Sequence, residues 1–188
     1  TGTNRFSEPV AMDSDGTRFV VADYETSRVL IWNSMPTSSD QPADIVLGQN
    51  DFFGKQVNRG KGSTTDLLNC GDLSLPIDVK IVGNKLLVSD YGNNRVLIWN
   101  TWPTTNGQAA NTVLGQANCS SKVTTPRSQT SLLNPIGLFW DGSHFAIADS
   151  GNHRILIWNS FPTSDAQAAD QVLGQANFTT GAVNSGGI

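Results

Sequence analysis

The stretch DYGNNRVLIW, residues 90–99, returns almost intact as DSGNHRILIW at 149–158 and as DYETSRVLIW at 23–32. A second word, VLGQ, follows each copy at 46–49, 113–116 and 172–175. Extended outward from these words, residues 9–49, 76–116 and 135–175 align without a gap at offsets of 67 and 59. The repeated cores are therefore fixed in length, and only the connections between them vary. Internal repetition at this period is the signature of a repeat architecture.

Each core holds four short apolar runs. In the middle copy they are IDVKIV, KLLVSD, RVLIWN and NTVLGQ, separated by turn words such as YGNN and WPTTNGQ. β-Branched and large apolar residues fill the runs, and none is long enough for a helix with a periodic face. Side chains alternate across a strand, so VLIW is apolar on both faces of its sheet. A four-stranded antiparallel sheet stacked face to face between copies of itself satisfies that pattern, and radial stacking of such sheets is a β-propeller. The expected fold is all-β, with blades at about 9–49, 76–116 and 135–175 within a single segment spanning 1–188.

The words DYGNNRVLIW and DSGNHRILIW, with VLGQ after them, resemble the NHL-repeat propellers, in particular bacterial-type secreted members. The first copy keeps Asp23 and Arg28 but lacks the Gly-Asn pair. The resemblance implies a ring of about six blades, of which three are present. It implies no single activity, because the family includes lyases, RNA-binding modules and extracellular scaffolds, and fold does not fix function.

Composition narrows the classes. Charged residues make up 15% of the 188, and the formal net charge is −4. Nucleic-acid binding rests on clustered Lys and Arg, so the acidic balance argues against it. No apolar run approaches the roughly 20 residues of a membrane-spanning helix.

Candidate catalytic groups are few. The recurring pairs Asp23/Arg28, Asp90/Arg95 and Asp149/Arg154 are expected to order the turn between the second and third strands, where the Asp accepts backbone hydrogen bonds and the Arg pairs with it. His144 and His153 fall in turns at opposite ends of a strand about 17–20 Å long, too far apart to share a metal. The amidating-lyase branch of the family implies a histidine cluster that this chain lacks. No catalytic residue, metal or cofactor is expected. Trp32, Trp99 and Trp158 read as packing between blades. Trp102, with Met35 and Phe161 at the matching positions, reads as a plug over the sheet end.

Two features are individual to this chain. The connection 50–75 is longer than the next one, 117–134, and carries Lys55, Arg59 and Lys61 among glycines. Long loops on rigid scaffolds gather binding specificity, so it is the candidate partner-binding loop. Cys70 ends that connection and Cys119 begins the next. Both connections lie on one propeller face, which places the two cysteines for a disulfide and, with it, an oxidising compartment.

The expected function is a non-catalytic extracellular or cell-surface module that binds protein, with further copies or blades of itself as the expected partner. The alternatives are a fragment of a propeller lyase or hydrolase and, less in keeping with the charge, an RNA-binding propeller. The end copies keep FVVAD and RVLIW, FAIAD and RILIW, as apolar as the middle copy, although terminal repeats normally turn polar. Both outward faces are thus expected to need cover.

Overall fold

The computed structural model describes residues 5–61, 68–122 and 126–183. Residues 1–4 and 184–188, which the sequence reading includes in the propeller segment, lie outside them. Among the described residues, twelve strands form three separate antiparallel sheets of four, each in simple meander order. Blade one holds β1 (Pro9–Ser14), β2 (Phe19–Asp23), β3 (Arg28–Trp32) and β4 (Ile45–Leu47). Blade two holds β5 (Pro76–Val82), β6 (Lys85–Asp90), β7 (Arg95–Trp99) and β8 (Thr112–Leu114). Blade three holds β9 (Pro135–Trp140), β10 (Phe145–Asp149), β11 (Arg154–Trp158) and β12 (Gln171–Leu173).

The all-apolar runs behave as their alternation requires. Val20, Ala22, Val29 and Ile31 of blade one meet Leu86, Val88, Leu97 and Trp99 of blade two in one core. Leu87, Val96, Ile98 and Leu114, on the opposite face of blade two, meet Phe145, Ile147, Leu156 and Trp158 of blade three in a second. Neighbouring first strands face each other, β1 against β5 and β5 against β9. Blade two is thus sandwiched, and every residue of β7 is buried.

The Asp–Arg pairs hold the connections in place. Arg95 sends its Nε to Asp90 Oδ2 at 2.8 Å, one Nη to the Cys119 carbonyl at 2.6 Å and the other to the Asp72 carbonyl at 2.8 Å. One guanidinium therefore joins the connection entering blade two to the one leaving it. Arg28 reaches Asp23 and the carbonyls of Phe52 and Arg5, and Arg154 reaches Asp149 and those of Phe178 and Ser131. All three pairs are buried. A charged pair out of water persists only with its remaining donors and acceptors satisfied, and these carbonyls supply that. Burial, the larger influence, raises Asp90 above the ordinary carboxylate range, while Arg95 pulls it down.

Cys70 and Cys119 form a disulfide, their Cα atoms 5.0 Å apart. It clasps the same two connections that Arg95 joins. No helix among the described residues is long and apolar enough to cross a membrane.

Candidate assembly surface

The positions singled out by sequence fall in different places. Of the cations in the long connection, two are turned inward. Arg59 donates to the carbonyls of Gly71 and Gly107 at 2.6 and 2.7 Å, and Lys61 meets Asp72 at 2.9 Å. Burial lowers Arg59 from its ordinary value, and Asp72 partly offsets that. Asn58 and Arg59 both take left-handed backbone, and the Asn58 side chain exchanges amide hydrogen bonds with Asn93. Lys55 is exposed, beside an exposed Phe53. His144 pairs with Asp141 in its own turn, and His153 stands exposed in the β10–β11 turn. No group of three metal-ligating side chains occurs among the described residues. Trp102 packs between blades, its Nε1 on Asn33 Oδ1 at 2.9 Å and its ring beneath the Arg18 guanidinium at 4.0 Å.

Apolar side chains stand exposed on the outward face of blade three. Phe139, Ala146, Ala148, Ile155, Ile157 and Leu173 line a concavity of about 580 Å³ there. Phe139 is 56% exposed, Leu173 53% and Ile155 41%. The counterparts of Ala146, Ile155, Ile157 and Leu173 in blades one and two lie in the cores between blades. Those of Phe139 are Asp13 and Lys80, which pair across the first junction. A contiguous apolar face of this kind marks a contact site on a soluble protein.

Blade one differs from the expectation of two open faces. Its outward side chains Val21, Leu30, Trp32 and Val46 are buried. Phe52, from the connection after β4, packs on them, and Phe6 lies against Trp32 with ring centroids 6.2 Å apart. Only β1 remains open on that side, with Val10 and Met12 exposed. The closing aromatics sit outside the gapless cores, so strand patterning alone gave no sign of them.

The internal junctions show how such a face is covered. Gly48 and Gly115, the glycines of VLGQ, adopt φ of +82° and +89°, a region that disfavours side chains. A Cβ on Gly48 would lie 2.7 Å from Leu73 Cδ1, and one on Gly115 2.6 Å from Leu132 Cδ1. Each incoming Leu therefore fills a slot that only glycine leaves vacant. The following Gln49 donates to the carbonyls of Thr26, Ser27 and Gln56, tying the strand end to the adjacent turn. Two acidic residues on first strands, which the sequence reading passed over, also bridge blades. Asp13 accepts the Ile81 N–H and Asp78 the Leu138 N–H, each at 2.7 Å. Burial raises Asp78, and the N–H groups of Leu138 and Val79 oppose it. A carboxylate in a mostly apolar first strand was the available signal.

No known protein family matches the sequence, and neither does any curated protein. Solved structures do share its fold. A putative 6-phosphogluconolactonase from Bacteroides fragilis superposes with a TM-score of 0.52 at 16% identity, over 94% of this chain and 45% of that one. Virginiamycin B lyase from Staphylococcus aureus gives 0.44 at 9% identity, over 87% of this chain and 44% of that one. The chain thus spans less than half the length of either. At the level of fold, it is three consecutive blades of a β-propeller.

Proposed function

We propose that the chain is a non-catalytic propeller module of the NHL-repeat kind, acting outside the cell by joining its blades to further blades of the same repeat. The observation that carries this reading is the open face of blade three, where Ile155 and Leu173 stand in water at positions whose counterparts, Val29 and Val96, Leu47 and Leu114, are fully buried. The Cys70–Cys119 bridge supports an oxidising setting. The buried Asp–Arg pairs, with their hydrogen-bonding groups occupied by backbone, support a role in holding blades together rather than in chemistry. The loop with exposed Phe53 and Lys55 is, in this reading, a second place where a partner protein touches.

Native mass spectrometry and light scattering under non-reducing conditions test the reading. The expected result is an assembly of more than one 20.1 kDa chain that dissociates on dilution. A folded single chain at all concentrations, with no dye-accessible apolar face, overturns it.

A further inference from the structure

The uncovered face at one end of the chain has its complement at the other. This inference rests on the assembly reading and adds the partner's identity and its register. Three contacts recur at both internal junctions, each with a half contributed by the earlier blade and a half by the later one.

The first is the glycine slot, Gly48 filled by Leu73 and Gly115 by Leu132. In the second, the side chain of the left-handed turn residue accepts the N–H of the residue before the next blade's proline. Ser27 Oγ takes Leu75 N–H at 3.2 Å, and Asn94 Oδ1 takes Asn134 N–H at 2.9 Å. In the third, a loop of the later blade caps the outer strand of the earlier one. Gly107 N–H donates to the Val46 carbonyl while Val46 N–H donates to Asn106 Oδ1. Ala166 and Asp165 serve Val113 in the same way.

Blade three presents the earlier half of all three contacts. Gly174 has φ of +85°, and among the described residues a Cβ placed on it would find only His153 O and Arg154 Cα within 4 Å, so no described side chain fills its slot. His153 takes the left-handed turn position, φ 55°, with its ring exposed where Ser27 and Asn94 are buried. The neutral imidazole has one ring nitrogen able to accept a hydrogen bond. Val172 sits on the β12 edge where Val46 and Val113 sit on theirs.

Blade one presents the later half. Phe6 stands three residues before Pro9, as Leu73 and Leu132 stand before their prolines, and it is 42% exposed. Phe6 already lies on Trp32, so the face of blade one is closed behind it while its own ring points a surface outward. Ser39 and Asp40 occupy the positions of Asn106 and Gly107 and are exposed. Glu8 holds the position of Leu75 and Asn134. In blades two and three, Asp90 Oδ1 accepts from Ser74 N–H and Asp149 Oδ1 from Leu133 N–H, and the next N–H crosses the junction. In blade one, Asp23 Oδ1 accepts both Ser7 and Glu8 N–H, each at 2.9 Å. The Glu8 N–H rests on a carboxylate oxygen whose equivalents in Asp90 and Asp149 accept one backbone N–H.

We propose that the head of a second copy of this chain seats on the tail face of the first, with Phe6 over Gly174, the Glu8 N–H on the His153 imidazole, and the Ser39–Asp40 turn on the β12 edge at Val172. The contact is heterologous: between two copies of the 188-residue chain, repeating it closes a two-fold ring of six blades, and where further blades adjoin either end the same register joins them.

Mixing of two blocked variants tests the register. Ile155→Asp places a charge on the tail face, and Phe6→Asp places one on the head. Both residues are about two-fifths exposed in the single chain, and tryptophan fluorescence checks that each variant folds. The wild-type chain is expected as a two-copy species and each variant alone as a single copy. An equimolar mixture retains one intact head–tail pair and recovers the two-copy species, with a dissociation constant at least tenfold above wild type. A mixture that stays single while the wild type pairs overturns the head-to-tail register and leaves the assembly reading standing. Species that keep growing with concentration overturn the closed ring. A wild-type chain that is always single overturns the assembly reading and this proposal with it.

Discussion

Blades one and three carry nearly the same strand words, RVLIW and RILIW, and their environments differ. All five residues of β3 are buried, whereas in β11 Ile155 is exposed and Ile157 half-buried. Blade one has blade two on one side and the aromatics of its flanking connections on the other. Blade three has blade two on one side and water on the other. A strand apolar on both faces records the environment of a middle blade, and an end blade inherits the word whether or not its second face is covered. Burial in this fold belongs to the junction rather than to the strand.

The comparison can be tested at one position that is isoleucine in all three blades. Ile31 and Ile98 are fully buried, and Ile157 is not. Ile98→Ala and Ile31→Ala are expected to destabilise the chain by about 2–5 kcal/mol each, as core truncations do. Ile157→Ala is expected to have a clearly smaller effect in the dissociated chain and to approach the others where copies associate. Chemical denaturation at low and high protein concentration measures this. Equal effects at low concentration would mean that the face of blade three is covered within one chain.

Removing the clasp that only the middle blade has should narrow its advantage over the ends. Cys70→Ser with Cys119→Ser releases a link between positions 49 apart and is expected to lower stability by about 2–4 kcal/mol. Hydrogen exchange should show the loss concentrated in β5 to β8. Uniform loss across the three blades would mean that blade two has no separate stability.

The glycines of VLGQ sharpen the contrast further. Gly48→Ala and Gly115→Ala force a methyl into an occupied slot, an overpacking effect of roughly 1–3 kcal/mol. Gly174→Ala shares their positive φ but meets only backbone, its nearest contact at 3.2 Å. Thermal melts of dilute protein are expected to rank it mildest of the three.

The smallest expected effect lies in the β1–β2 and β9–β10 turns, where Asp15 and Asp141 hold matching positions. The backbone N–H of Arg18, with a further N–H and the Arg18 guanidinium, lowers Asp15 to about 2, and the His144 backbone N–H lowers Asp141. A carboxyl depressed by folding stabilises above its unfolded value of 3.8, and the effect disappears as pH falls toward about 2. Asp15→Asn should flatten the stability curve across that window by less than about 1 kcal/mol, the scale of exposed pairs. An unchanged acid limb in urea titrations would remove Asp15 from the account.

The strands and their order were legible because period-two alternation and a gapless repeat constrain the backbone directly. The cysteine pairing was legible because meander topology puts successive connections on one face. The inward turn of Arg59 and Lys61 was not, since it depends on two consecutive left-handed residues, Asn58 and Arg59, neither of them glycine, which bring Asp72 within reach. The closure of blade one was hidden for a related reason. Phe6 and Phe52 belong to connections, where no periodicity says which way a ring will fall. His153 and Gly174 were in view as members of aligned words, but their importance shows only when the partners of Asn94 and Gly115 are seen.

The bridge between Cys70 and Cys119 also sets how the molecule would bear tension. A pull applied at the two chain ends passes from residue 70 to residue 119 through the sulfurs, so blade two lies outside the load path. The end blades can be drawn out while the middle one stays folded. The extension then falls short of the full chain by the contour of 49 residues, roughly 160–175 Å. Under reducing conditions that length returns, and single-molecule stretching with and without reductant would read the difference as one added step.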